Sequence, residues 1–256
     1  VLTLHTGSMK IALRKVYTFC TLLIIPGSGA IVPAPAVDGV SCIKGDCLNG
    51  PGQVKFVNGP ECAANFAEGR PRGAFQCRYD DGSIYTGRFS DRISIPGVKL
   101  RLPGGGHYHG DWQRGAPNGS GVLVSPGGTR YEGQFRDGRP HGTGVLTQKD
   151  WSYSGEFREG VFEGEGTIHH AGGSFRCVYR RGRPTGTGVF SLQTGESFEI
   201  TFDGDSASFS RPGGAGYRGG WRLGYMHGQG EYRFASGSVY RGEFHHSRFE
   251  GQGRVS

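Results

Sequence analysis

The chain is predicted to be all-β: an elongated, single-layer antiparallel sheet of about nine successive β-hairpins. Three observations lead there. Glycine accounts for 49 of the 256 residues, and without a Gly-X-Y period that level points to disorder or to a turn-dense β protein. Aromatic residues make up 12% of the chain, whereas disordered chains are depleted in them. The third observation is an internal repeat, the signature that decides the architecture wherever it occurs. Its anchors are Cys62, Tyr85, Tyr108, Tyr131, Tyr153, Phe175, Phe198, Tyr217 and Tyr240, spaced 22 or 23 residues apart except for one step of 19.

With Tyr131 as position zero, glycines fall at +2, +7, +11 and +13 (Gly133, Gly138, Gly142, Gly144) and an aromatic at +4 (Phe135). The units at Tyr108, Tyr153 and Tyr217 repeat this in full, with Trp112, Phe157 and Trp221 at +4. The Tyr240 unit keeps Phe244 at +4 but has Ser247 at +7. Position +15 is apolar in most copies, for example Leu123, Ile168 and Tyr232, and position −3 is glycine in all copies but one, where Asp150 stands. Each unit therefore reads as two strands with a turn at +5 to +10, and −3 as the turn between units.

Side chains alternate along a strand, so 0, +2 and +4 share one face. Pairing 0 with +15 sets +2 against +13 and +4 against +11, which places every ring and every signature glycine on that face. The other face carries +1 and +3, such as Glu132 and Gln134 or Arg241 and Glu243. An antiparallel sheet tolerates one apolar and one wet face. The glycines make room for rings to lie flat over the backbone. The Tyr85 unit, with Arg92 at +7 and Pro96 at +11, and the Phe198 unit, which lacks the glycines, are predicted to be distorted.

The pattern Tyr-x-Gly-x-Phe/Trp-x-x-Gly-x-x-x-Gly-x-Gly resembles the MORN (membrane occupation and recognition nexus) repeat over roughly residues 40–256. That resemblance implies an extended sheet of hairpins acting as a scaffold or interaction surface. The family's name suggests a membrane-directed alternative.

Residues 1–36 read as a leader. Lys10, Arg14 and Lys15 precede an apolar run from Val16 to Ile25 and the small residues after Pro26, the layout of a cleavable signal peptide. Residues 37–61 read as an N-terminal half-unit, and 62–256 as the repeat domain. Of the six cysteines, Cys62 and Cys77 occupy positions 0 and +15 of one unit and so face each other, within reach of a disulfide. Cys42 and Cys47 flank a turn and are expected to staple the half-unit; Cys177 is left unpaired. Two disulfides and a leader together predict a secreted, periplasmic or cell-surface protein.

Without the leader the formal charge falls from +7 to +4, which gives no support to nucleic-acid binding. The hairpin tips are arginine-rich, with Arg136, Arg139, Arg180, Arg181 and Arg183 as candidate anion or phospholipid contacts. The rings Tyr108, Trp112, Tyr131, Phe135, Tyr153, Phe157, Tyr217, Trp221, Tyr240 and Phe244 form a face too extensive for one layer to hide. Such a patch predicts a protein partner or self-association. No nucleophile lies beside a base outside the repeat, and the histidine pairs (His107 and His109, His169 and His170, His245 and His246) read as wet-face residues. The expected function is thus a non-enzymatic interaction scaffold, with no catalytic residue, metal or cofactor. The alternatives are binding of acidic phospholipid by the arginine edge, and the accessory part of a truncated enzyme.

Overall fold

The computed structural model describes residues 40–89, 94–113 and 116–256. The predicted leader, with Cys20, lies outside them, as do Arg92 and Arg114. Twenty strands, and no α-helix among the described residues, are assigned to one open antiparallel sheet. The strands are β1 (Val40–Gly45), β2 (Pro51–Phe56), β3 (Glu61–Ala67), β4 (Arg70–Arg78), β5 (Ile84–Phe89), β6 (Ser94–Arg101), β7 (His107–Gln113), β8 (Ala116–Val124), β9 (Arg130–Arg136) and β10 (Arg139–Thr147). There follow β11 (Trp151–Arg158), β12 (Val161–His170), β13 (Gly173–Arg180), β14 (Arg183–Leu192), β15 (Ser197–Asp203), β16 (Ser206–Ser210), β17 (Gly216–Arg222), β18 (Tyr225–Arg233), β19 (Val239–His245) and β20 (Arg248–Val255). The described chain falls into two compact units, 40–141 and 142–256.

In both units the hairpin register follows the repeat at its base. Position 0 meets +15 (Cys62 with Cys77, Tyr108 with Leu123, Tyr153 with Ile168, Tyr217 with Tyr232) and +2 meets +13 (Gly110 with Gly121, Gly155 with Gly166, Gly219 with Gly230). Nearer the tip the expectation of +4 against +11 is corrected. Trp112 pairs with Pro117, Phe157 with Phe162, Trp221 with Met226 and Phe244 with Phe249, so +4 meets +9. The register shifts between +2 and +4 in each of these hairpins. The +11 glycine sits in that bulge with a left-handed backbone, φ +63° at Gly164 and +72° at Gly228, a conformation glycine adopts without penalty.

The turn is consequently only two residues long. Asp137 and Gly138 have φ 48° and 77°, and Glu159 and Gly160 have φ 53° and 85°. Two successive positive φ values make the type I′ turn whose twist matches the strands it joins. The tips also dock on the hairpin before them: the +7 N–H donates to the preceding unit's +9 carbonyl, Gly138 to Pro117 at 2.9 Å and Gly182 to Phe162 at 2.8 Å. The Phe198 unit has no +11 glycine and no register shift. Phe202 pairs with Ala207, and Thr201 with Ser208. Loss of the two-residue bulge accounts for part of the shortening of this step; the rest is a slide in register, since Phe209 at +11 faces Tyr217.

The signature glycines serve the rings as expected. A Cβ added at Gly121 would lie 2.6–2.9 Å from the Tyr108 ring atoms, and one at Gly230 2.6–2.9 Å from those of Tyr217. Each tyrosine lies across the glycine pair and donates its hydroxyl to the carbonyl at +3: Tyr108 to Asp111 (2.7 Å), Tyr131 to Gln134 (2.8 Å), Tyr153 to Glu156 (3.0 Å), Tyr217 to Gly220 (2.7 Å) and Tyr240 to Glu243 (3.2 Å). The bulge takes +3 out of the regular ladder, and the tyrosine satisfies its buried acceptor.

Rings then pack in a herringbone. Position-0 rings meet their own +4 ring edge-on in Tyr131–Phe135 (5.0 Å) and Tyr153–Phe157 (5.1 Å), and the +4 ring of the next unit in Tyr108–Phe135 (5.3 Å), Tyr153–Tyr179 (5.4 Å) and Tyr217–Phe244 (5.1 Å), whereas Tyr108–Trp112 and Tyr217–Trp221 are tilted. Edge-on pairs at this separation are favourable beyond their burial. In the unit 142–256 the sheet curls strongly. Phe175 on β13 lies 5.9 Å from Trp221 on β17, and the His170 ring stacks on Tyr225 at 4.0 Å. Flat strands would hold β13 and β17 about 19 Å apart. The curl converts a single layer into a half-enclosed core.

Candidate functional site

The ring face is not an open surface. Trp112 and Tyr153 are fully buried, and Tyr108, Tyr131, Phe135, Phe157, Tyr217, Tyr240 and Phe244 are buried too; Trp221 is half-buried. This corrects the expectation that a single layer must expose these rings. The residue at +9 supplies the missing cover. Pro117 and Pro140 are fully buried, and Phe162 stacks on Tyr153 at 3.7 Å. Burial raises the tyrosine hydroxyls well above their ordinary range at Tyr108, Tyr131 and Tyr153, and pushes Tyr217 up to about 12. These shifts mark tyrosines held in a core.

Among the predicted arginines, Arg180, Arg181 and Arg136 are exposed. Arg183 pairs with Asp205 at 2.5 Å, and the Arg181 backbone N–H donates to the Glu163 carboxylate at 2.9 Å. Two acids thus sit inside the most basic tip, a feature the sequence pattern did not reveal. Arg139 is half-buried.

The paired cysteines are Cys42 with Cys47 and Cys62 with Cys77, the latter at a Cα separation of 4.0 Å across the β3–β4 hairpin. Cys177 is a free, buried thiol whose pKa is raised by burial.

The polar face of the unit 142–256 carries a recess over β17 to β20. Its floor is the backbone of Gly219, Gly230, Gly242 and Gly253, whose missing side chains belong to the ring face. One wall is the cross-strand row Arg218, Glu231, Arg241 and Arg254; Gln229 and Glu243 stand on the other. Arg241 is paired with Glu231 at 2.8 Å, and Gln229 donates to Glu243 at 3.1 Å. Arg218 and Arg254 have no carboxylate partner among the described residues, and three strand spacings put them about 14 Å apart. Such a surface can take acidic groups but offers no general acid, base or nucleophile in an enclosed site.

Five segments match the MORN repeat family model: residues 108–130, 131–152, 153–175, 217–239 and 240–255. The chain carries MORN repeats. The MORN units matched are the four with every signature glycine and the Tyr240 unit despite Ser247; the Cys62, Tyr85 and Phe198 units, with weaker patterns, and the Phe175 unit, with Cys177 at +2, fall outside. No curated protein sequence matches the chain. Among solved structures, the chain is similar to the TCP10 domain of Danio rerio CPAP in complex with a peptide of Danio rerio STIL. That match has 17% identity over 79% of this chain and 94% of the other, with a TM-score of 0.44. It is also similar to the SAS-4 (dCPAP) TCP domain of Drosophila melanogaster in complex with a proline-rich motif of Ana2, at 14% identity over 70% and 99% of the two chains, with a TM-score of 0.40. Neither likeness bears on what this MORN-repeat chain binds.

Proposed function

We propose that this chain is an exported, non-enzymatic scaffold that binds a protein partner through the polar face of its MORN repeats. The observation that carries the reading is the division of labour between the two faces. The rings are consumed as core, so recognition falls to the solvated rows, and their clearest recess leaves two guanidiniums unpartnered. A segment with carboxylates about 14 Å apart, roughly four residues along an extended chain, fits Arg218 and Arg254. Charge-assisted hydrogen bonds to each would supply both affinity and register. Two cysteine pairs agree with an oxidising compartment and so with export. Binding of acidic phospholipid by Arg180, Arg181 and Arg183 is the second reading; the Arg183–Asp205 pair counts against it by removing charge from that tip.

Peptide display against the oxidised full chain tests the reading. Acidic extended peptides are expected to be enriched, and Arg218→Glu with Arg254→Glu is expected to weaken them at least tenfold while leaving the circular-dichroism spectrum unchanged. Failure to enrich any peptide, or peptides indifferent to the double variant, would remove the proposed site.

A further inference from the structure

We infer that His227, His245 and His246 form a binding site for a zinc-class divalent metal ion at the tips of the β17–β18 and β19–β20 hairpins. His227 lies on β18 and His245 at the end of β19, with ring centroids 5.2 Å apart. His246 has φ 47°, a left-handed turn position. In an extended strand it would point away from its neighbour; here its ring lies 4.2 Å from that of His245 and 6.3 Å from that of His227. Two imidazoles on one tetrahedral ion, bonded at about 2.0 Å with each centroid about 1 Å beyond its nitrogen, would stand about 5 Å apart. The observed separations bracket that value.

The tip that carries His245 and His246 docks on the hairpin of His227 as other tips do, and this unit's departure from its repeat adds a second contact. Where other units have glycine at +7, this one has Ser247, held at φ 63°. Its N–H donates to the Met226 carbonyl at 3.0 Å, as the +7 residue does at other tips, and its hydroxyl also accepts the Met226 N–H at 3.1 Å. The doubled contact pins the last tip beside His227. Non-glycine residues in such conformations concentrate at ligand sites.

Glu250 completes the arrangement. Its carboxylate lies 3.3 Å from His245 Nδ1; a proton held there would leave Nε2 as the ligand, the carboxylate–histidine relation that orients metal-bound imidazoles. The charges facing His227 are mixed: Arg222 opposes a cation and Glu250 favours one. Among the described residues no three donors are already gathered for a metal. The rings must therefore turn about their side-chain torsions as the ion enters, and the fourth position is left to water.

Titration of the oxidised full chain with Co2+, read by its ligand-field absorption, and with Zn2+, read by calorimetry, tests the site. One ion per chain is expected. His227→Ala and His246→Ala are expected to weaken binding at least thirtyfold, and Glu250→Gln about tenfold. His107→Ala and Cys177→Ser should leave it unchanged. Absence of saturable uptake, uptake unaltered in His227→Ala, or loss of uptake in Cys177→Ser would each overturn the assignment.

Discussion

Gly110→Ala is expected to destabilise the protein by about 3 kcal/mol, more than most surface-strand substitutions. A Cβ there would stand 2.5 Å from the Ser120 carbonyl and 2.6 Å from the Tyr108 hydroxyl. The first obstacle is backbone of the facing strand, which cannot swing aside. The second is the ring that closes the core over the glycine pair, and moving it also breaks its 2.7 Å bond to the Asp111 carbonyl. Overpacking costs about 1–3 kcal/mol and an orphaned buried carbonyl about 1–3 kcal/mol more. Gly127→Ala is the control, because its added Cβ would meet nothing closer than the Ser125 hydroxyl at 3.9 Å. Urea denaturation should separate the two variants by their midpoints. Equal midpoints would mean that the ring does not rest on the glycine.

The second large effect concerns Cys62 and Cys77. Replacing both with serine is expected to destabilise the protein by about 3 kcal/mol, the cost of releasing a loop of this size in the unfolded chain. The pair closes a separation of 15 residues and stands where neighbouring units place a ring against an aliphatic side chain. Serines there also put two hydroxyls into a buried slot, since both cysteines are almost inaccessible. In a repeat sheet each unit leans mainly on its neighbours, so hydrogen exchange should quicken most from β2 to β5. A denaturation curve unchanged by the double substitution, or by a reductant, would show that the cystine does not hold this end of the sheet.

Much of the architecture was legible because the repeat records it several times over. Opposed rings and aliphatics at 0 and +15 gave the base of each hairpin, and the same register brought Cys62 to Cys77. What the pattern could not give was the bulge. It adds two residues to the second strand, and two residues return a side chain to the same face. Alternation is therefore satisfied with or without it, and +4 was set against +11 when it meets +9. A signal was present in Pro117, Pro140, Phe162 and Met226, which share position +9. Read as turn residues, they hid the cover that buries the rings. The curl that brings Phe175 to Trp221 depends on twist accumulated over several strands and has no local signature. The histidine cluster was half visible, as the neighbours His245 and His246; His227 joins them because each tip docks on the hairpin before it, a contact that Ser247 doubles here.

The claim on which the rest depends is that the rings are interior, so that function lies on the other face. Tyrosine ionisation followed by NMR of ring-labelled protein measures this directly. Burial raises Tyr108, Tyr131 and Tyr153 far above their value in the unfolded chain, so their contribution to stability is complete below about pH 10 and is lost as the pH climbs beyond it. The account predicts that their resonances hold still through pH 11 and then shift together as the sheet unfolds. Independent titration of these three tyrosines near pH 10, in a protein that remains folded, would contradict it.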